Sequence, residues 1–283
     1  MNISVIIPTF DRERTIERAL TSVYRQTYAP QEIIVVDDAS TDATPEILEE
    51  HADRIKVITN ESNRGVSFSR NEGIKASKGD WLAFLDSDDR WDKDKLATQK
   101  VFHAHNPQYS ISQCDEIWIR NGVRVNPMAK HAKLGGWIFE ACIPRCIVSP
   151  SAVIIHRDVL KKIGLFDPHL RACEDYDLWL RIAQHYEIGL LDKKLVTRYG
   201  GHEDQLSKRY WGMDRFRITA MEKHIKTKMN PDWKKTLLEE LVFKSGIVAE
   251  GARKRDNPDL ADRYLAKQKS FQDLLEAHQK KMS

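Results

Sequence analysis

The chain has 283 residues, 41% hydrophobic and 31% charged, which supplies a core and excludes a disordered chain. A formal net charge of +3 is too small to argue for a nucleic-acid partner. No apolar run approaches the roughly 18 residues of a membrane span. Taken in chain order, Ile3–Ile7 is a strand candidate, and Thr15–Gln26 follows with Ile16, Ala19, Leu20 and Val23 at helical spacing. Ile33–Val36 is continuously apolar, as a strand buried on both faces should be. Ser40, Thr41 or Asp42 can cap a helix over Ala43–His51. Ile55–Thr59, Val66–Ala76 and Trp81–Leu85 read as strand, helix and strand. This rhythm predicts a Rossmann-like, doubly wound and largely parallel α/β sheet, with its ligand crevice at the carboxyl ends of the strands.

After Asp89 the rhythm changes. Lys93–His105 reads as a helix. Residues 109–155 read as strands and loops, with turns at Asn121-Gly122 and Gly135-Gly136. Arg157–Ile163 and Glu174–Gln184 are helical. The tail carries two more helices. One holds Trp233, Leu237, Leu238, Leu241 and Val242 on a stripe, and the other is capped by Asn257 with Pro258 in its first turn.

Acidic residues follow the strands: Asp37 and Asp38 after the second, and Asp86, Asp88 and Asp89 after the fourth. Uncompensated carboxylates at one crevice repel, and a divalent cation resolves the repulsion. Two Asp at i and i+2 point to the same side of an extended chain, so Asp86 and Asp88 can reach one metal. Carboxylate oxygens suit Mg²⁺ or Mn²⁺ rather than zinc. A polar turn with helix caps is the other reading of the string. Strand one ends in Pro8-Thr9-Phe10, which sets a rigid proline and a ring at the crevice, against a nucleobase or in the core. Neither a G-x-G-x-x-G fingerprint nor a P-loop is present.

These strings resemble family 2 glycosyltransferases. The resemblance is carried by Val5-Ile6-Ile7-Pro8-Thr9-Phe10, by Glu32 through Asp42, by Asn63-Arg64-Gly65 and by Arg70-Asn71-Glu72-Gly73. It continues through Phe84 to Trp91, Ser149-Pro150-Ser151, Gly164-Leu165-Phe166-Asp167 and Glu174 to Arg181, and ends near His202–Ser207. It implies a GT-A-type fold and an inverting transfer from a nucleotide-diphosphate sugar, with uridine as the family-level base. It implies that Pro8, Thr9 and Phe10 hold the nucleoside and that Asp38 bonds the base. Arg70 would lie near the nucleotide, and Ser87 counts among the same contacts. Asp86 and Asp88 match the DxD metal motif. His202 matches a position that approaches the metal or diphosphate, or is a bonded loop histidine. Asp175 matches the catalytic base, with a helix cap as its plain reading and Glu174 and Asp177 as rivals.

Residues 1–207 are therefore expected as the catalytic domain, with a nucleotide half over 1–90 and an acceptor half over 91–207. Residues 208–283 are expected as a basic helical extension. From 205 onward the chain holds 18 Lys and Arg against 11 Asp and Glu, so it either touches a membrane face or a second copy, or is a solvated helical surface. The acceptor is a glycan, a lipid-linked sugar or a protein. Trp118, Arg120, Trp137 and Arg145 are candidates to line its pocket. Cys114, Cys142, Cys146 and Cys173 read as free thiols of a reducing cytoplasm, and MNISVIIPTF does not read as a signal peptide. A nucleotidyltransferase would need a Gly- and Lys/Arg-rich loop after strand one, for which Arg12-Glu13-Arg14 is a poor substitute. A silent binding module would have no use for Asp38, Asp88 and Asp175 together.

Overall fold

The first apolar run becomes β1 (Ile3–Thr9), buried along its whole length, in a computed structural model that describes residues 1–126, 128–201 and 210–282. α1 (Ile16–Tyr24) leads to β2 (Glu32–Asp37), α2 (Thr44–Glu49) to β3 (Lys56–Thr59), and α3 (Val66–Ala76) to β4 (Trp81–Phe84). These four strands lie in the order β3-β2-β1-β4 and are parallel throughout. Successive side chains of a strand face opposite ways. Ile3, Val5 and Ile7 accordingly pack toward Ile16, Leu20 and Leu48, whereas Ile6 packs with Ile74, Leu82 and Phe84. Helices therefore cover both faces, and the α/β fold expected from the sequence is present. A Cβ on Gly73 of α3 would meet Ile6 Cγ2 at 2.5 Å, so only glycine lets this helix lie so close to β1.

The second half extends the same sheet. It comprises β5 (Arg90–Trp91), α4 (Lys95–His105), β6 (Ile111–Arg120), β7 (Val123–Val125), α5 (Phe139–Cys142), β8 (Val153–His156), α6 (Arg157–Ile163), α7 (Glu174–Ala183) and β9 (Gly189–Gly200). β8 joins β4 antiparallel, and the order runs on through β6 and β9 to β5, with β7 hairpinned onto β6. Asn121 and Gly122 turn that hairpin with φ of 50° and 78°. The long strand β9 escapes a reading by alternation, because Asp192-Lys193-Lys194 interrupt its apolar pattern. The register with β6 slips there, from Cys114↔Leu191 to Asp115↔Lys194 to Glu116↔Val196, which marks a bulge.

Three tail helices are described, one more than expected: α8 (Asp214–Glu222), α9 (Pro231–Arg253) and α10 (Pro258–Met282). α8 is short, buries Ile218, Ala220 and Met221, and packs Phe216 against the same core. Asn230 accepts from the amide of Asp232, and Asn257 from that of Leu260, so side-chain caps start the two long helices. Leu237, Leu238, Leu241, Tyr264 and Phe271 share one apolar cluster with Phe139 and Trp179, so the tail packs on the core of the sheet. No helix among the described residues is long and apolar enough to cross a membrane.

Candidate active site

Two loops at the carboxyl ends of β1 and β2 are stitched to each other. Asp11 and Ala39 take left-handed φ of 49° and 62°, which turns both loops sharply. Asp11 Oδ1 accepts from the amide of Thr41, and its own amide donates to Ser40 Oγ at 2.9 Å. The amide of Arg12 donates to Thr44 Oγ1 at 2.7 Å, that of Glu13 to Asp42, and that of Ala43 back to Glu13. Asp42, not Ser40 or Thr41, bonds the amide of Thr44 at the start of α2. Pro8 and Thr9 are buried at the end of β1, and Phe10 is half-buried just beyond. Thr9 Oγ1 is buried with no partner among the described residues.

Asp37 and Asp38 have different employment. Asp37 accepts from the Ser40 amide and hydroxyl, and burial pushes its carboxyl above the usual range. Asp38 is buried and accepts from Asn60 Nδ2 at 2.7 Å and from the amides of Arg64 and Gly65 at 3.0 and 2.7 Å. Asp38 thus pins the loop that begins α3. Asn71 of α3 then bonds Phe166 reciprocally, through its own amide to the carbonyl and from the backbone N–H of Phe166.

The acidic string after β4 is a turn, closed by the amide of Asp89 donating to the carbonyl of Asp86 at 2.9 Å. It is not the extended segment from which the shared direction of Asp86 and Asp88 is argued in the sequence. Four groups hold this turn. Arg70 donates to Asp86 Oδ1 at 2.7 Å. Ser151 Oγ accepts from the Asp86 amide and donates to Asp89 Oδ2 at 2.6 Å. The Tyr199 amide donates to Asp89 Oδ1. Arg18, whose guanidinium lies 3.7 Å from the centre of the Tyr199 ring, donates to the carbonyl of Asp88. Ser87 is buried and Asp88 half-buried. Burial first, then repulsion by Asp88, drives Asp89 well above the ordinary carboxylate range, so Asp89 belongs to the scaffold.

The second nitrogen of Arg70 reaches the start of α7. Nη1 donates to Glu174 Oε1 at 2.7 Å, with the Arg70 side chain 4% exposed. Burial and the neighbouring Asp175 push Glu174 up to about 7, against the pull of Arg70. α7 is entered through Cys173 in a left-handed conformation, φ 60° and ψ 25°. Asp175 is half-buried. Its Oδ1 accepts from the Tyr176 amide at 2.7 Å and its Oδ2 from the Cys146 thiol at 3.5 Å. Asp177 is fully buried and pairs with Arg181 and Lys223 at 2.9 and 2.7 Å. Of the three acids at this helix start, Glu174 and Asp177 are buried and committed to cations, and Asp175 is the half-buried one that pairs with none of them.

Asp86 keeps 26% of its side chain exposed, and Asp88 lies two residues on in the same turn. Two hard oxygen donors suit Mg²⁺ or Mn²⁺, which keep waters and substrate phosphates among their ligands. Among the described residues no three His, Cys, Asp or Glu gather to hold a metal alone. His202, the other sequence candidate, lies outside the described residues. Ser151, Arg18 and Cys146 were not singled out for a role from sequence, and neither was Glu116. Glu116 of β6 is buried among Lys133 at 3.1 Å, Arg198 at 3.8 Å, Trp118 Nε1 at 3.0 Å and the Ser149 hydroxyl. The string Ser149-Pro150-Ser151 was the only local signal for any of these.

The sequence profile described as glycosyl transferase family 2 matches residues 4–164. The chain is 33% identical over 191 residues, 67% of its own length and 73% of the relative's, to the Escherichia coli UDP-Glc:alpha-D-GlcNAc-diphosphoundecaprenol beta-1,3-glucosyltransferase WfgD. Its fold is similar to that of S. aureus TarS 1-349 in complex with UDP-GlcNAc, with a TM-score of 0.72 at 21% identity, covering 99% of this chain and 92% of that one. Against a longer TarS chain it spans 43% of the length. It is also similar, with a TM-score of 0.63 at 19% identity over 99% of this chain and 86% of the other, to the mannosyltransferase PcManGT from Pyrobaculum calidifontis in complex with GDP-Man and Mn²⁺.

Proposed function

The chain belongs to glycosyl transferase family 2 and is a glycosyltransferase acting on nucleotide sugars, and we propose that it is an inverting, divalent-metal-dependent member with Asp175 as its general base. The observation that carries this reading is the Arg70 bridge. One guanidinium 2.7 Å from both Asp86 and Glu174 ties the acidic turn to the start of α7, so Asp175 stands beside the place where a diphosphate would be held. The loops of Pro8–Phe10 and Asp38 are the cradle for the nucleoside, with a uridine nucleotide as the donor this reading favours. Asp86 and Asp88 would hold Mg²⁺ or Mn²⁺, which when bound offsets the charge that grows on the diphosphate leaving group.

A sugar hydroxyl is a poor nucleophile at neutral pH. Asp175 takes its proton as the oxygen attacks the anomeric carbon. The bond to the diphosphate oxygen breaks in the same displacement, and the anomeric centre inverts. Oδ1 is steadied by the Tyr176 amide and Oδ2 by the weak thiol donor of Cys146. The carboxylate is thereby oriented. Glu174, held by Arg70, keeps its own charge compensated beside Asp175. The acceptor stands on the side of β6 and the loops after it. The four unpaired cysteines suit a reducing, cytoplasmic setting.

The decisive variant is Asp175→Asn. UDP-sugar affinity should stay within about twofold of the parent while transfer falls by at least ~10²-fold. Near-parental turnover would return Asp175 to a structural role at the helix start. Donor affinity undiminished in excess chelator would remove the metal from the reading.

A further inference from the structure

We propose that Lys223, just past the end of α8 in the tail, is a positioning residue for the transfer step, so that the tail fixes how α7 presents Asp175. The inference rests on the reading of Asp175 as the base. It starts from a salt link behind the Arg70 bridge. Lys223 Nζ donates to Asp167 Oδ2 at 2.6 Å and stands 2.7 Å from Asp177 Oδ1. The second contact is ionic and not a hydrogen bond, since Asp177 Oδ1 has no hydrogen-bond partner among the described residues. Asp177 lies two residues after Asp175 on α7. Asp167 follows Phe166, whose backbone bonds both ends of the Asn71 side-chain amide and whose ring centre is 5.1 Å from the Arg70 guanidinium. One ammonium from the tail therefore ties the segment that meets Arg70 to the helix that carries Asp175.

The charges explain why this tie needs the tail. Asp177 also pairs with Arg181 at 2.9 Å, and Arg181 donates to the carbonyls of Ile163 and Leu165. Asp167, Asp177, Arg181 and Lys223 make a balanced group of two carboxylates and two cations. Without Lys223, two carboxylates are left with one guanidinium, and like charges push the Phe166–Asp167 segment away from α7. The Asp167 side chain, 22% exposed, can turn to water, but that of Asp177, 0% exposed, cannot. The imbalance therefore falls on the start of α7. Lys223 is itself held in place. Glu222 before it accepts from Lys267 of α10 at 2.6 Å, and His224 after it meets Gln184 at the far end of α7 through Nδ1. The Met213 carbonyl, ahead of α8, accepts from the thiol of Cys173 at the near end. The tail thus follows α7 from Cys173 to Gln184, with Lys223 as its charged contact to the first turn.

The test compares Lys223→Met and Lys223→Arg with Phe271→Ala, a cavity in α10, which packs along α9. Release of UDP from UDP-glucose and from UDP-GlcNAc with Mg²⁺, water serving as acceptor, gives kcat and KM at a temperature well below the melts. Lys223→Met should lower kcat by at least ~10-fold and leave KM and UDP affinity within about twofold of the parent. Lys223→Arg, which keeps the charge, should recover most of kcat. Phe271→Ala should melt lower and keep kcat within about twofold of the parent, because it weakens the tail without breaking the tie. In an Asp175→Asn background Lys223→Met should change the residual rate by less than about twofold, since both act through one carboxylate. Amide exchange over residues 166–177 needs no turnover, and it should quicken by at least ~10-fold in Lys223→Met and not in Phe271→Ala. Parental kcat in Lys223→Met, an equal fall in Phe271→Ala, or unchanged exchange over 166–177 overturns the inference, the last even if the parent releases UDP from neither donor. Asp175→Asn separates the failures. Parental turnover in that variant sinks the base reading and this inference with it, whereas lost turnover there beside parental turnover in Lys223→Met sinks only the role of the tail.

Discussion

Replacing Arg70 by Met tests whether one guanidinium really joins the two halves of the active site. The substitution keeps an apolar stem and removes the guanidinium, which lies 5.1 Å from the centre of the Phe166 ring, with both 2.7 Å ion pairs at a position 3% exposed. Removing one partner of a buried ion pair costs about 3–5 kcal/mol, because the other charge is left unpaired. Here Asp86 can turn toward solvent, but Glu174, 4% exposed, cannot. Glu174 must take up a proton instead. Burial and Asp175 already push it up to about 7 with Arg70 present, and loss of the cation moves it further up. A carboxyl whose folded pKa lies above its unfolded value near 4.5 binds more protons folded than unfolded. The variant therefore loses stability as pH rises from about 4.5 through that folded pKa, at up to about 1.4 kcal/mol per pH unit. Thermal melts at pH 6 and pH 8 read this directly. The deficit against the parent should be on the order of 10 °C at pH 8 and clearly smaller at pH 6. UDP affinity with Mg²⁺ should fall as well, by about 10-fold, since Asp86 loses its tether. A deficit of only about 2 °C at pH 8, or one that does not change with pH, would refute the bridge.

Ser151→Ala removes a bond from the Asp86 amide, worth about 1 kcal/mol, and a charge-assisted bond to Asp89, worth about 1.5–3 kcal/mol. Urea titration should show the loss, and UDP affinity should weaken because the acidic turn loosens. His103 and His224 are buried and each is lowered to about 4 by burial, so the unfolded chain takes up protons at higher pH than the folded one. Stability should accordingly fall as pH drops below about 6.5, by up to about 1.4 kcal/mol per pH unit for each ring, and urea midpoints for His224→Gln should show a shallower slope. Leu241→Ala, at a fully buried site of α9, should cost about 2–5 kcal/mol and lower a single melting transition. An unchanged main transition with a separate early one would show that the tail unfolds apart from the sheet.

What the sequence discloses of the fold follows from where its signals are local. β1, β2 and β4 are legible because buried parallel strands are continuous apolar runs, and α1 buries one apolar stripe between them. β9 is not legible, because Asp192-Lys193-Lys194 belong to a bulge whose register is set by β6, far away in the chain. α8 is hidden for a related reason. Its nine residues hold too few apolar positions to show a period, and it is held by the neighbours it packs on. At the site, the residue types are legible and their duties are not. Asp86 and Asp88 stand after β4 as read, but from a turn whose shape depends on Ser151 and on the Tyr199 amide. Arg70 sits beside Asn71 in the chain and acts between two elements that only the folded sheet brings together.

The crowd of carboxylates at this edge of the sheet also explains which of them are left for chemistry. Asp37, Asp38, Asp86, Asp88, Asp89, Glu174 and Asp175 all gather there, and mutual repulsion would splay the loops if each stayed charged and unmatched. Four of them are buried to 4% exposure or less, and each has its own means of compensation. Asp37 has the Ser40 hydroxyl and amide, and Asp38 has two amides and Asn60. Asp89 has Ser151 and the Tyr199 amide, and Glu174 has Arg70. The remaining three, Asp86, Asp88 and Asp175, are half-exposed. Burial with satisfied bonds converts the first group into rigid turn-makers, whose charge is spent on protein donors. The exposed trio retains oxygens that can meet a cation or a proton from outside. The proposed function asks two carboxylates to hold a metal and one to take a proton, and the distribution of amides, hydroxyls and Arg70 around this crevice leaves three wet while drying their neighbours.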